Sequence, residues 1–245
     1  MQRFFADRTQ MTDGKVVITG DDVRHIRNVL RMRPGETILG SCGDEWEYTC
    51  EILSVGSAEV TARITDAQKP SKELSSRICL FQCLPKGDKM ELIIQKAVEL
   101  GAWQIVPVSS RRCVVRLDER RGAAKTARWN SISESAACQS KRLIVPEVKP
   151  VTGFREALRQ AGEFDVCLIP YENEEGIQNT RKVLSSIKSG QSVAVLIGPE
   201  GGFEPEEVRE AEEAGFVPVT LGHRILRTET AGMAVLSILM YLLEE

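Results

Sequence analysis

The chain has 245 residues, 42% of them hydrophobic, which suits one large or two modest domains around a packed core. Its formal net charge of −3 hides a strong asymmetry: residues 77–149 carry 14 Lys/Arg against 7 Asp/Glu, and residues 150–245 carry 8 against 16. The N-terminus turns polar after four residues and the longest apolar run, 231–243, is too short to span a bilayer, so we expect a soluble cytoplasmic protein with no signal peptide and no membrane partner.

Up to about Asp66 the pattern is of short β segments: RFF (3–5), KVVIT (15–19), ETILGS (36–41), EWEYTCEILSV (45–55) and AEVTARIT (58–65). Turn signals such as TDG, RPGE and CGDE separate them, which predicts a small β barrel or curled sheet. One helix interrupts it, DDVRHIRNVLRMR, with Asp21 or Asp22 as cap, Pro34-Gly35 as stop and an apolar stripe of Val23, Ile26 and Leu30. Arg24, His25, Arg27 and Arg31 occupy its other faces. Residues 67–76, AQKPSKELSS, have a linker's composition, and we divide the chain into domains 1–70 and 71–245.

Beyond Arg77 strands alternate with helices. ICLFQCL, WQIVPVSS, FDVCLIP, SVAVLIG and PVTLG read as strands; KMELIIQKAVELG, residues 119–140, 153–161, VLSSI, EPEEVREAEEAG and the closing run read as helices. Such alternation predicts an α/β fold, a parallel sheet with helices on both sides. Ligands of these sheets bind in loops at the C-terminal ends of strands. Two loops qualify, GPEGGF after the strand at 193–197 and LGHRILRTETAG before the last helix.

The glycine turn invites a phosphate reading, because backbone N–H groups after a strand can surround an anion. It has neither the P-loop nor the dinucleotide spacing, and Glu200 would repel an anion. A tight turn with glycines at positive φ is the other reading. The basic middle segment has the footprint of a polyanion site, or else of a solvated helical face. Seven scattered cysteines, at 42, 50, 79, 83, 113, 138 and 167, favour reduced thiols over disulfides. With only His25 and His223, no metal site is expected.

Together, IGPEGGF, the later LGHRILRTETA and an apolar closing helix resemble the SPOUT superfamily of S-adenosylmethionine-dependent RNA methyltransferases. More narrowly, the chain resembles the RsmE-type 16S ribosomal RNA uracil-N3 methyltransferases. RFF at 3–5 and HIRNVLRMRPG at 25–35 are similar to that family's PUA-like N-terminal barrel. LPKGDKMELIIQKAVELGAWQIVP at 84–107 and QSKR at 139–142 are similar to its catalytic domain. One stretch departs: where the family pattern reads E-Q-S-G-R, this chain has Cys138 and Lys141.

The resemblance implies a SPOUT-type parallel sheet with a C-terminal trefoil knot, which no periodicity would suggest since chains almost never thread their own loops. It implies a homodimer, S-adenosylmethionine as cofactor, and 16S rRNA within the small ribosomal subunit as substrate, methylated at N3 of a single uridine. Related enzymes acting on a ribose 2′-hydroxyl or a tRNA base, and a non-catalytic RNA-binding module, are the other functions considered. The implied cofactor residues are Leu196, Ile197, Gly198, Pro199, Glu200, Gly201, Gly202, Leu221, Gly222, Ile225, Leu226, Arg227, Thr230 and Ala231. Gly198, Gly201 and Gly202 would let the backbone approach the adenosine, and Leu196, Leu221, Ile225 and Leu226 would wall the adenine. Arg227, Glu229 and Glu200 are the catalytic candidates, for charge stabilisation and proton transfer. Arg3, His25, Arg31, Lys86, Lys96, Arg111, Arg112, Gln139 and Arg142 are the RNA-facing candidates.

Overall fold

The structure, a computed structural model, describes residues 1–70, 72–171 and 176–244. It divides into two compact units, Met1–Glu73 with Ala137–Val145, and Leu74–Ala136 with the residues from Pro146 onward. The short segment 137–145 thus groups with the first unit. Glu73 takes part in this grouping: it accepts hydrogen bonds from Arg142 and from the backbone N–H groups of Leu143 and Ile144.

In the first unit, β1 (Arg3–Phe5), β2 (Met11–Thr12), β3 (Lys15–Thr19), β4 (Thr37–Ser41), β5 (Glu47–Val55) and β6 (Glu59–Gln68) form a six-stranded sheet. Its order is β1-β4-β5-β6-β3-β2, antiparallel except for β1 beside β4. Period-2 alternation sends Val16, Ile18, Val60 and Ala62 inward, where Phe4, Ile38, Cys50 and Ile52 join them.

The predicted helix forms only in part. A single α turn, α1 (Asp21–Arg24), runs into a π-helical stretch, His25–Leu30. Gly20 stands at the N-cap, and Asp21 and Asp22 lie in the first turn, where the helix dipole favours them. The stripe holds at Val23 and Ile26 but not at Leu30, which is exposed. Arg31 adopts a left-handed conformation (φ 54°), ending the helix before Pro34 and reversing the chain so that Met32 packs on the core instead.

In the second unit seven strands form one parallel sheet: β7 (Ile78–Cys83), β8 (Gln104–Ser109), β9 (Glu147–Val148), β10 (Thr152–Gly153), β11 (Val166–Pro170), β12 (Val193–Ile197) and β13 (Phe216–Val219). The order is β10-β8-β7-β12-β11-β13, with β9 also on β8. Every residue of β7 and β12 is buried, as expected of strands covered on both faces. The helices are α2 (Lys89–Glu99), α3 (Glu119–Ser140), α4 (Phe154–Ala161), α5 (Ile177–Ser186), α6 (Pro205–Glu213) and α7 (Thr228–Leu243).

Candidate active site

The apolar strand β12 ends at Ile197 and enters the turn 198–203. Gly202 takes φ 67°, and its N–H closes the turn on the Pro199 carbonyl at 2.9 Å. Gly198 is needed for space, since a Cβ there would lie 3.1 Å from the Phe203 ring. The chain then starts α6 through a capping box between Glu204 and Glu207. The second loop leaves β13 at Val219 and ends with Arg227 at the N-cap of α7.

These loops and the C-terminal ends of the neighbouring strands enclose a cavity of ≈ 370 Å³, within the range of small-molecule sites. Of the predicted cofactor residues, Ile197, Gly198, Pro199, Glu200, Gly202, Leu221, Gly222, Ile225, Leu226, Arg227 and Ala231 line it. Leu196, Gly201 and Thr230 do not. Leu196 is fully buried in the sheet, because it and Ile197 point to opposite faces of a strand covered on both. Gly201 faces Arg112: its carbonyl accepts from Arg112 Nη1 at 2.8 Å, and an added Cβ would meet the Arg112 side chain at 3.3 Å.

The sequence reading missed Lys89, Pro170, Tyr171, Phe203, Thr220, Arg224 and Thr228, all on the cavity wall. The rule that ligands sit beyond strand C-termini would have found Pro170 and Tyr171 at the end of β11, and Lys89 after β7. Thr228 belongs to a buried relay. Gln82 Nε2 donates to Thr228 Oγ1 at 2.9 Å, and that hydroxyl donates to the Gly198 carbonyl at 2.6 Å.

A guanidinium at Arg227 must either pair with Glu200 or Glu229 or face the open pocket; it is exposed on the cavity wall, and Lys89 takes both carboxylates. Lys89 Nζ lies 3.0 Å from Glu200 Oε1 and 3.4 Å from Glu229 Oε2. Glu200 also accepts the Lys86 N–H at 3.0 Å, tying the loop before α2 to the glycine turn. Burial pushes the Glu200 carboxyl upward, but the hydrogen bonds from Lys89 and the backbone outweigh it and leave the group below its ordinary range. The Glu200 hydrogen bond, aided by Glu229, holds Lys89 above the usual ammonium range. Glu229 itself is not on the cavity wall and is only 16% exposed.

Two RNA-facing candidates are corrected. Arg3 is buried and paired with Glu47, and Arg142 is buried and paired with Glu73 at 2.5 Å, because a guanidinium inside a small unit must meet a carboxylate. Arg112 holds Glu204 through two hydrogen bonds of 2.9 and 3.0 Å, Arg111 approaches Glu210 at 3.6 Å, and Lys96 holds Glu99. Part of the basic excess of 77–149 therefore answers the acidic excess that follows it. Lys86, Gln139 and Arg31 are exposed, and His25 stacks edge-on to Phe4 at 6.4 Å. All seven cysteines are free thiols. Among the described residues no group of His, Cys, Asp and Glu is placed to hold a metal, and no helix is long and apolar enough to cross a membrane.

This architecture has counterparts among known proteins. Residues 72–240 match the RNA methyltransferase domain family and residues 18–65 the RNA methyltransferase PUA domain family. Fold and site thus define the class, an RNA methyltransferase with an N-terminal PUA-like domain. Within it, the chain belongs to the ribosomal RNA small subunit methyltransferase E family. It is 39% identical to that enzyme of Bacillus subtilis, the match covering 98% of this chain and 96% of the relative. It is 30% identical to that of Mycobacterium tuberculosis, over 95% and 88% of the two chains. Among solved structures, the ribosomal RNA small subunit methyltransferase E of Neisseria gonorrhoeae bound to S-adenosyl methionine superimposes with a TM-score of 0.87 at 36% identity, over 99% and 98% of the chains. A Legionella pneumophila methyltransferase in complex with SAM gives 0.86 at 32%, over 98% and 96%.

Proposed function

We propose that this protein transfers the methyl group of S-adenosylmethionine to N3 of a single uridine of 16S rRNA in the small ribosomal subunit. The observation that carries the reading is the cavity at the ends of β11 and β12, walled by the glycine turn and the 220–227 loop. Its size and apolar walls suit an adenosine, Gly198 permits close backbone approach, and Glu200 offers a carboxylate to a cationic ligand. Ile197, Pro199, Leu221, Leu226 and Ala231 are the residues we assign to the adenosine. The bound cofactor supplies an electrophilic methyl on sulfur. The chain's own task is to align the uracil ring and to stabilise the charge that appears when N3 loses its proton. We assign that task to Arg227, which lines the cavity at the N-cap of α7.

The family likeness further supports a trefoil knot formed by the segment leading into α7, and a cytoplasmic homodimer. Ile238, Tyr241 and Leu242 on α7 leave an apolar surface, with Tyr241 82% exposed, of the kind a second copy would cover. Lys86, Gln139, Arg31 and His25 are the side chains we keep as RNA-facing.

The test is methylation of small subunits from cells lacking the gene, with labelled S-adenosylmethionine and mapping of the modified nucleotide. One N3-methyluridine per particle is expected. A label on a ribose, or on tRNA alone, would overturn the reading. Sedimentation of the purified protein tests the dimer.

A further inference from the structure

Lys89 is the one cavity-wall cation held between two carboxylates among the described residues, and the reading of its role rests on the methyl transfer proposed above. Its ammonium has three protons and no acceptor capacity. One proton serves Glu200 Oε1 at 3.0 Å, while Glu229 Oε2 lies 3.4 Å from Nζ as an ion-pair partner without a hydrogen bond of its own. The ammonium keeps donor capacity beyond that bond, and Lys89 lines the cavity. Glu200 from the glycine turn and Glu229 from the first turn of α7 stand against Nζ, and Arg224 and Arg227 from the 220–227 loop share the cavity wall with Lys89.

We infer that Lys89 is a catalytic residue that donates a charge-assisted hydrogen bond to a carbonyl oxygen of the target uracil. Glu200 and Glu229 fix Nζ in place before the substrate arrives, which is what makes a donor effective at the moment charge develops. Arg224 and Arg227 have no such anchors among the described residues. The same two carboxylates favour the charged ammonium, so Lys89 is a donor throughout and does not accept the proton. In the step itself the N3–H bond breaks and the proton passes to water. The electron pair left on N3 forms the N3–CH3 bond as the methyl–sulfur bond breaks, and sulfur retains that bond's pair. The anionic charge on the imide spreads to its two carbonyl oxygens, and Lys89 holds one of them.

The experiment compares wild type, Lys89→Met and Lys89→Arg, with calorimetric titration of S-adenosylmethionine and single-turnover methyl transfer to saturating small subunits across a pH series. For Lys89→Met we expect cofactor affinity within about threefold of wild type and a rate at neutral pH lower by roughly 10²-fold, the usual cost of one preorganised donor. Its rising limb should move to higher pH, so that the deficit narrows as alkali removes the N3 proton unaided. Lys89→Arg should regain part of the rate with the limb near its wild-type position. A Lys89→Met rate close to wild type, an equal loss at every pH, or a tenfold loss of cofactor affinity would each overturn the assignment. Wild type that binds cofactor but leaves small subunits unmethylated would overturn the underlying reading instead, and this arm is read before any variant.

Discussion

Gln82 and Thr228, 146 positions apart in sequence, share a buried hydrogen bond of 2.9 Å, and through it the central strand β7 governs the carbonyl of Gly198. Thr228→Val keeps the shape of the side chain and removes both bonds. A buried amide and a carbonyl then lose a partner, at about 1–3 kcal/mol. For a chain of this size that lowers Tm by a few degrees, about 2–4 °C per kcal/mol. Cofactor affinity should fall as well, since the glycine turn loses its fixed carbonyl. Calorimetric melting and S-adenosylmethionine titration of the variant check both outcomes.

Gly198 and Gly201 separate two uses of glycine. In Gly198→Ala the new methyl meets the Phe203 ring at 3.1 Å, and overpacking of this kind costs about 1–3 kcal/mol. We expect roughly tenfold weaker cofactor binding, partly restored by adding Phe203→Leu. Gly201→Ala touches only Arg112, a side chain able to shift, so its affinity should stay close to wild type. Equal losses in the two variants would show that the cavity depends on the whole turn and not on one close approach.

Arg227 carries no ion pair among the described residues and stands at the N-cap of α7, on the cavity wall. Arg227→Ala should leave cofactor affinity within a few-fold while lowering single-turnover methyl transfer by roughly 10²-fold. A loss confined to cofactor binding would make it a wall residue only.

Arg142→Ala should act on stability and hardly at all on RNA. The side chain is 7% exposed and its partner Glu73 12%, so removing the arginine strands a buried carboxylate, at about 3–5 kcal/mol. The two backbone bonds that Glu73 accepts from Leu143 and Ile144 place the cost toward the lower end. Urea unfolding measures it, and unchanged stability with weakened RNA binding would return Arg142 to the RNA-facing set.

Acid should weaken the first unit through Glu47. Burial raises its pKa, yet hydrogen bonds from Lys72 and Arg3 outweigh this and hold it below the ordinary value of 4.5. A depressed carboxyl stabilises above its unfolded pKa and loses that contribution as pH falls through the folded one. The stability gap between wild type and Glu47→Gln should therefore be constant above about pH 5 and shrink below pH 4.5. Urea titrations at several pH values follow it, and a gap independent of pH would remove Glu47 from the acid response.

The loops of the site were legible because they follow strands, and glycines directly after an apolar run mark a turn whose backbone a ligand can approach closely. Which neighbour faces the cavity was not. In a strand covered on both faces Leu196 and Ile197 carry the same chemical message, and only the register of β12 on its neighbours separates them. Charges were read by sign, although their meaning lies in partners far along the chain. Glu73 is 69 positions from Arg142, and Glu200 is 111 from Lys89. Local patterning carries no trace of either pair. The π-helical stretch at His25–Leu30 escaped for a different reason: its apolar spacing at Val23 and Ile26 is equally that of an α-helix.

The distance between Gln82 and Thr228 also sets a timetable for synthesis. At about 5–20 residues per second, a ribosome needs roughly 7–30 s to pass from one to the other. Throughout that interval the newborn chain holds the Gln82 amide without Thr228 as its acceptor, whereas Glu200 reaches Lys89 earlier, 111 residues after it. β12, made in between, inserts between β7 and β11. The cavity wall is complete only once the 220–227 loop and the first turn of α7 have been made, so a chain that stops before Thr228 lacks part of the site.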